Sequence, residues 1–384
     1  MRVLVAGVST RAAAASAARA GFDVAAVDAF ADLDQHPSVD ARSLGDRFSA
    51  AAAAQHSRTI ACDAVVYGSN FENDVDAVAL LARGRALWGN PAGVLRRVRD
   101  PRLLTETLRR RGFAAPSVVE PIPDLPSLQS PTPDPQSPTA WLVKRRASGG
   151  GHGIRPWRGG RLPSGGYLQE RIDGTSASIA FVAARAGVVP IGFFRQLIGD
   201  AEFGASGFRY CGNILTGAGE DDDVLEAAGA LARAVCDEFG LVGVNGIDLI
   251  VSGGVPYPVE VNPRWCASME LVERAYGVSV FGMHASACRD GALPDFDLAR
   301  ARRGAPATGK AVVFARRGVT VCDSSAWLAD ARANGCMHDI PRPGAQIRAG
   351  HPICTVFATA RASVECRVEL VRRAARIYAE TGML

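Results

Sequence analysis

The sequence predicts a multidomain protein of the α/β and α+β classes, with an N-terminal parallel α/β unit, a β-rich core, and a small β-rich C-terminal unit ending in a helix. Three observations carry this reading. The first ~90 residues alternate short apolar strands with helical stretches, the pattern of a parallel sheet covered on both faces. From residue 141 onward strand-like runs follow one another before a single amphipathic helix at 221–239. The 384 residues are enough for two to four units with substantial cores.

The elements follow in order. RVLVAGV is a continuous apolar strand, and Ser9 or Thr10 is placed to cap the alanine-rich helix that Gly21 stops. FDVAAVDAF, ACDAVVYGS and RALWGN read as the second, third and fourth strands. Residues 91–113 read as a helical linker, and 116–140, rich in Pro, Ser and Asp, as an exposed irregular connection. WLVKRR, GYLQERIDG, SASIAFVAARAG and VVPIGFFRQLIG read as strands. The helix at 221–239 starts acidic, as the helix dipole favours, and ends at Gly240. VNGIDLIV and YPVEVNPR are two strands around Ser-Gly-Gly, and the last ~80 residues open with KAVVFARRGVTV and close with a helix near 363–381.

Composition excludes several classes. The net charge of +4 is spread along the chain without a basic tail, which argues against nucleic acid. No apolar run approaches the ~20 residues that span a bilayer, and MRVLVAGVST lacks the regions of a signal peptide, so a cytoplasmic protein is expected. Nine cysteines without a CxxC pair read as free thiols and give no support to a metal or redox motif. The first turn, from Gly7 to Ala12, lacks the GxGxxG spacing, although Asp28 stands where a ribose-binding acid would lie.

Two stretches carry chemistry. In VKRRASGGGHGIRPW, Lys144, one of only two lysines, leaves a strand into a glycine loop. Lysine precedes the glycines, so this is no P-loop; the order suits a lid over phosphates, or a hairpin tip without a ligand. In GIDLIVSGGVPYPVEVNPR, Asp248 and Glu260 are equidistant from Gly254. If 252–255 turns a hairpin, the carboxylates face each other, and Asn262 and Arg264 follow on the same face. Adjacent carboxylates repel unless a cation lies between them, and hard oxygen donors suit Mg²⁺ shared with phosphates. QERIDG adds a strand end that offers backbone groups and an acid to an adenine edge, or that is simply exposed, as Gln-Glu at a strand end more often is.

Lysine on a strand, a glycine flap, Gln-Glu followed by Gly174, and D…E-x-N-x-R together resemble the ATP-grasp superfamily over roughly residues 90–290. The resemblance implies a two-lobed core and boundaries at 1–95 (N-terminal α/β), 96–165 (first lobe with the Pro-rich loop and flap), 166–295 (second lobe with the metal site) and 296–384 (C-terminal β unit and helix). It implies ATP and Mg²⁺, two ions with Glu260 bridging, held by Asp248, Glu260 and Asn262. Lys144 would contact phosphates, and Ser148, Gly149, Gly150, Gly151 and Gly153 would form the flap. Gln169, Glu170, Arg171 and Ile172 would lie at the adenine hinge. Arg264, with Lys144, would stabilise the transferring phosphoryl group. Many relatives carry a second phosphate-binding lysine, and Arg102 in RDPRLL is its match here.

The implied reaction is ligation of a carboxylate to an amine through an acyl phosphate. Ser268 and Glu270 in WCASMELVE, with Arg195, Arg209 and Tyr210, are the substrate candidates, although Ser268 and Glu270 also fit a capped helix start with an acid in its first turn. Cys266 lacks a placed histidine and is not read as a nucleophile. DIPRPGAQIRAGHPICTVFATA resembles a small β element of biotin carboxylase-like proteins, without a lysine at the hairpin tip. With FRYCGN and VNPRWCASMELVE it is similar to a tyramine–L-glutamate ligase-like group linked to methanofuran and tetrahydromethanopterin synthesis. The resemblance leaves a homodimer open. The rival readings are a nicotinamide-dependent oxidoreductase and an ATP-binding protein without catalysis.

Overall fold

A computed structural model describes residues 1–120 and 140–383. Most of the Pro-rich connection, 121–139, lies outside the described residues. The N-terminal unit is a five-stranded parallel sheet. Arg2–Ala6 lies at its centre, flanked by Asp23–Asp28 and Val39–Ser43 on one side and by Ala64–Tyr67 and Ala86–Leu87 on the other. Alternation along the first strand sends Leu4 and Ala6 to one face, against Ala53, Phe71 and Val78. It sends Val3 and Val5 to the other, against Ala14, Trp88 and Phe281.

Asp28 ends the second strand buried, and its carboxylate accepts bonds from Thr10 N and Oγ1, Phe30 N and Ala31 N. It is fully used in tying strand to helix, which leaves it unavailable to a ribose. The same contact corrects the expected cap: the Thr10 hydroxyl is directed at Asp28 (2.6 Å) rather than at the helix it precedes.

The core is an eight-stranded antiparallel sheet. In spatial order it contains Val255–Asn262, Gly243–Ser252, Thr175–Ala184, Gly187–Ile198, Tyr210–Leu215, Ala307–Phe314, Pro352–Ala360 and Met337–His338. One face is buried under Asp222–Phe239 and Pro101–Arg110, through Ala177, Ile179 and Phe181 against Leu231, Val235 and Leu104. On the other face the neighbours of those residues, Ala180, Val182 and Phe194, meet Val272 and Phe281 of the helices Met269–Tyr276 and Val280–Asp290. The N-terminal unit packs there too. Ser363–Glu380 covers the C-terminal strands through Leu370, Ala374 and Ile377.

A smaller four-stranded antiparallel sheet has the order Val118–Val119, Gly166–Glu170, Trp141–Arg145, Arg155–Pro156. The glycine loop joins its last two strands. Among the described residues no helix is long and apolar enough to cross a membrane.

Candidate active site

The acid–amide face forms as the spacing requires. Gly253 and Gly254, with φ of 56° and 78°, make the two-residue turn that closes Ser252 against Val255 and sets Asp248 opposite Glu260. The strand Val255–Asn262 lies at the sheet edge, where Pro256 and Pro258 forfeit no ladder bond. Its register shifts between Asp248 and Leu249, so Val259 is bulged out. The Val259 carbonyl accepts from Lys144 Nζ (3.4 Å) and Gln169 Nε2 (3.2 Å) of the small sheet, and Lys144 also donates to Gln169 Oε1 (3.1 Å). One bulge thus joins the two sheets at the point where the carboxylates stand.

The electrostatics separate the two acids. Burial, then the neighbouring Glu260, pushes the Asp248 carboxyl up to about 6, although Asn262 Nδ2 (2.9 Å) and Gln196 Nε2 (2.8 Å) donate to it. Burial would raise Glu260 as well, but Arg99 and then Lys144 outweigh it and hold it below the usual carboxylate range. Burial lowers the Lys144 ammonium, only partly offset by Glu260 and Asp248. Arg264 donates to Glu72 Oε1 from Nε (2.8 Å) and Nη2 (2.6 Å) and to Asn262 Oδ1 (3.2 Å). Burial lifts the Cys266 thiol to about 12, which leaves it inert as a nucleophile at neutral pH.

A pH dependence follows. The folded protein holds the Asp248 proton more tightly than the unfolded chain does. Its stabilisation is therefore complete below the ordinary aspartate range and lost as pH rises through about 6. Glu260, with a depressed pKa, stabilises above the ordinary glutamate range and loses this as pH falls. The urea midpoint of metal-free protein is expected to fall between about pH 4.5 and 6. Asp248→Asn should remove that slope.

The predicted residues divide. Lys144, Gln169, Asp248, Glu260, Asn262 and Arg264 come together. Arg102 does not: it lies on the outer face of Pro101–Arg110, paired with Glu106 (2.7 Å) one turn on. Arg99 occupies the site instead, ion-paired to Glu260 and bonded to Asn73 Oδ1 (3.1 Å) and to the carbonyls of Val261 (3.2 Å), Arg146 and Ser148 (both 3.4 Å). Glu170 alternates away from Gln169 and accepts from Ser117 N (2.8 Å); Arg171 pairs with Asp173 (3.1 Å), and Ile172 is half-buried beyond the strand end.

Arg195 is turned to the opposite sheet face by the two-residue strand period. It is held there by Asp221 (2.9 and 3.0 Å) and Glu220, while its neighbour Gln196 reaches Asp248. Glu270 is buried and occupied by Arg11 (2.8 and 2.9 Å) and Lys310 (2.9 Å), so it offers no free carboxylate to a substrate. Ser268 is buried at the start of the same helix. Arg209 stacks 3.8 Å over the Phe314 ring. The Tyr210 hydroxyl accepts from Asn213 Nδ2 (2.7 Å), and burial, then Asp248, pushes its pKa up.

Arg99, Glu72, Asn73 and Gln196 were not singled out by sequence reasoning. An available signal was the i,i+4 pair Arg102–Glu106, which marks an outward helix face and leaves Arg99 as the inward arginine.

A cavity of about 660 Å³ lies elsewhere, lined by Arg11, Arg19, Asp34, Glu270, Glu273 and Arg274 among others. Its acids are already paired: Glu273 with Arg19 (2.5 Å), Asp34 with His338 (2.7 Å) and Glu270 as above. Among the described residues no three His, Cys, Asp or Glu side chains gather as a metal cluster. The donors at the acid–amide face are two carboxylates and an amide oxygen, a partial shell that phosphate oxygens would complete.

The flap is seated. Tyr210 N donates to the Gly150 carbonyl (3.0 Å). Gly151 has φ of +76°, and a Cβ there would lie 1.8 Å from the Phe208 carbonyl oxygen. Gly151→Ala is expected to undock the flap and speed amide exchange at Tyr210 about tenfold or more. Gly149→Ala, which meets open space, should leave the exchange unchanged.

Comparison with known proteins places this geometry. Residues 98–268 match the family model of the ATP-grasp domain. An uncharacterized protein of Methanocaldococcus jannaschii is 28% identical over 190 residues, which are 50% of this chain; the chain spans 41% of that relative's length. The biotin carboxylase domain of Hydrogenobacter thermophilus 2-oxoglutarate carboxylase, solved with MgADP, ADP and bicarbonate, superposes with a TM-score of 0.68 at 15% identity. That match covers 97% of this chain and 89% of that one. L-amino acid ligase of Bacillus licheniformis superposes with a TM-score of 0.66 at 15% identity, over 98% and 97% of the two chains. At such identity these two likenesses establish the fold. With lysine and acid–amide hairpin meeting at one bulge, and the glycine loop leading on from that lysine's strand, the chain carries an ATP-grasp domain over residues 98–268.

Proposed function

We propose that this chain is an ATP- and Mg²⁺-dependent ligase that joins a small carboxylate to an amine through an acyl phosphate. The observation that carries the reading is the meeting of Lys144 with the Asp248–Glu260 pair across the Val259 carbonyl. The MgADP of the biotin carboxylase relative and the name of the amino acid ligase relative support it.

Asp248, Glu260 and Asn262 would hold Mg²⁺, two ions in this reading, which would supply charge neutralisation at the phosphates. Lys144 and Arg99 bind phosphate oxygens. The flap at 148–153 excludes water, which would otherwise hydrolyse the acyl phosphate. Gln169 and the strand end at 170–172 border the adenine. Arg264, held by Glu72, faces the carboxylate that attacks the γ-phosphate and stabilises the charge of the transfer.

We further assign 1–95, 96–165, 166–295 and 296–384 as the functional units, and an amino acid as the carboxylate. C1-carrier cofactor synthesis in the cytoplasm is the finer proposal, with tyramine and L-glutamate as the first pair to test. An ADP-release screen of acid and amine pairs, with mass detection of product, tests the reading. Amide product with ADP is expected. Tight NAD(H) binding without ATP binding would overturn it, as would ATP binding with background ADP release across the panel.

A further inference from the structure

Beside Arg264 lies a buried carboxylate oxygen that, among the described residues, has no donor. Glu72 sits in the short turn Phe71–Asn73, just past the C-terminal end of the parallel strand Ala64–Tyr67. Its side chain is 2% exposed. Oε1 takes both bonds from Arg264. Oε2 is buried and, among the described residues, has no hydrogen-bond partner. A buried acceptor without a donor is costly, more so when charged, so most native structures satisfy theirs.

The turn is held in place from both sides. Asn70 adopts a left-handed φ of 82°, and Asp74 caps the next helix through Ala77 N (3.0 Å). The Tyr67 hydroxyl is engaged by the carbonyls of Asn90 (2.8 Å) and Pro263 (3.2 Å) and is not available to Glu72. A second buried acceptor lies along the same sheet. Asn213 pairs in register with Gln196, the residue that reaches Asp248. Its Nδ2 is used by Tyr210, and its Oδ1 has no partner among the described residues.

We propose that Glu72 is a specificity residue. Its Oε2 accepts an N–H bond from the nucleophilic substrate, which is therefore a protonatable primary amine rather than an alcohol, a thiol or bicarbonate. The inference rests on the ligase reading above. An anionic acceptor gains most from a charged donor, and an ammonium presents three. A thiol donates weakly, and bicarbonate is repelled. The Glu72–Arg264 pair thus sorts two substrates at adjacent positions: the guanidinium draws the carboxylate and the free carboxylate oxygen draws the amine.

The test measures ADP release by the full chain. Each acid of the panel is offered with tyramine, ethanolamine or an amino acid amide, and separately with glycerol, 2-mercaptoethanol or bicarbonate. Stimulation by primary amines alone is expected. Glu72→Gln keeps an oxygen for Arg264 but replaces the free acceptor with a donor. It should raise the amine KM about 50-fold, the loss of one charge-assisted bond, while the KM for ATP changes less than about threefold. Trapping by hydroxylamine, which is uncharged at neutral pH, should fall less than about fivefold. Glu72→Asp, which retains a carboxylate if the glutamine variant does not fold, should raise the amine KM about tenfold.

Stimulation by a non-amine would overturn the inference while leaving ligation intact. An equal fall in kcat with every nucleophile at unchanged amine KM would reduce Glu72 to a prop for Arg264, and would also overturn it. Absence of ATP binding by the unaltered protein is the distinct outcome in which the ligase reading itself fails, and this inference with it.

Discussion

Glu260→Gln is expected to lower ATP turnover by about a thousandfold or more, roughly 4 kcal/mol of transition-state stabilisation, in a protein that remains folded. Glu260 is the carboxylate on which the site's cations converge: Arg99 touches it, and the charges of Lys144 and Arg264 are felt there. Its depressed pKa means that it is ionised wherever the protein works. Glutamine keeps the volume and one oxygen but removes the charge. Arg99 would still bond Asn73 and the Val261, Arg146 and Ser148 carbonyls, and side-chain exposure of 26% lets water reach position 260. Breaking a buried ion pair commonly costs 3–5 kcal/mol; here those bonds and that water keep the loss toward the low end. ADP release and a urea titration on the same preparation separate the two effects. Turnover near that of the unaltered protein would remove Glu260 from the proposed metal site.

What the sequence disclosed, and what it did not, follows from the range of the interactions. The hairpin is a local object: turn glycines, a period of two and symmetry about Gly254 suffice to set Asp248 against Glu260. Lys144 stood out because lysine is so rare in this chain. Glu72 meets Arg264 across 192 residues, and nothing local to NFEN announces a partner. The same holds at Thr10, where a local capping rule was overridden by Asp28, 18 residues on. The strand Val39–Ser43 escaped notice because, at the edge of the parallel sheet, it is half exposed and lacks the apolar run of its neighbours. A β-rich C-terminal unit was legible, but no pattern within it says that Ala307–Phe314 and Pro352–Ala360 continue the large sheet. Arg195 was a near miss of one residue, and one residue in a strand is the difference between the two faces.

Arg99→Ala should lower ATP turnover about a hundredfold, whereas Arg102→Ala should stay within about twofold, although sequence order favours the second. The contrast is geometric. Helix Pro101–Arg110 buries Pro101, Leu104, Thr105 and Leu108, so its 102 and 106 positions point outward, and Arg102 is 65% exposed in an i,i+4 pair that solvent screens. Arg99 stands before that helix, next to Asp100, whose carboxylate caps it at Leu103 N (2.9 Å). The break between the two helices turns the residue-99 side chain inward, at 12% exposure, onto Glu260. It also ties the flap, through the Ser148 carbonyl, to the N-terminal unit, through Asn73. Its loss should therefore weaken ATP binding and flap closure together, visible as a raised KM for ATP and faster exchange at Tyr210. Arg99→Lys keeps the charge but not the fork that spans Glu260, Asn73 and Ser148, so it should recover less than half of the loss in free-energy terms. Equal effects at 99 and 102, or a defect confined to 102, would return the phosphate contact to the residue that sequence order suggests.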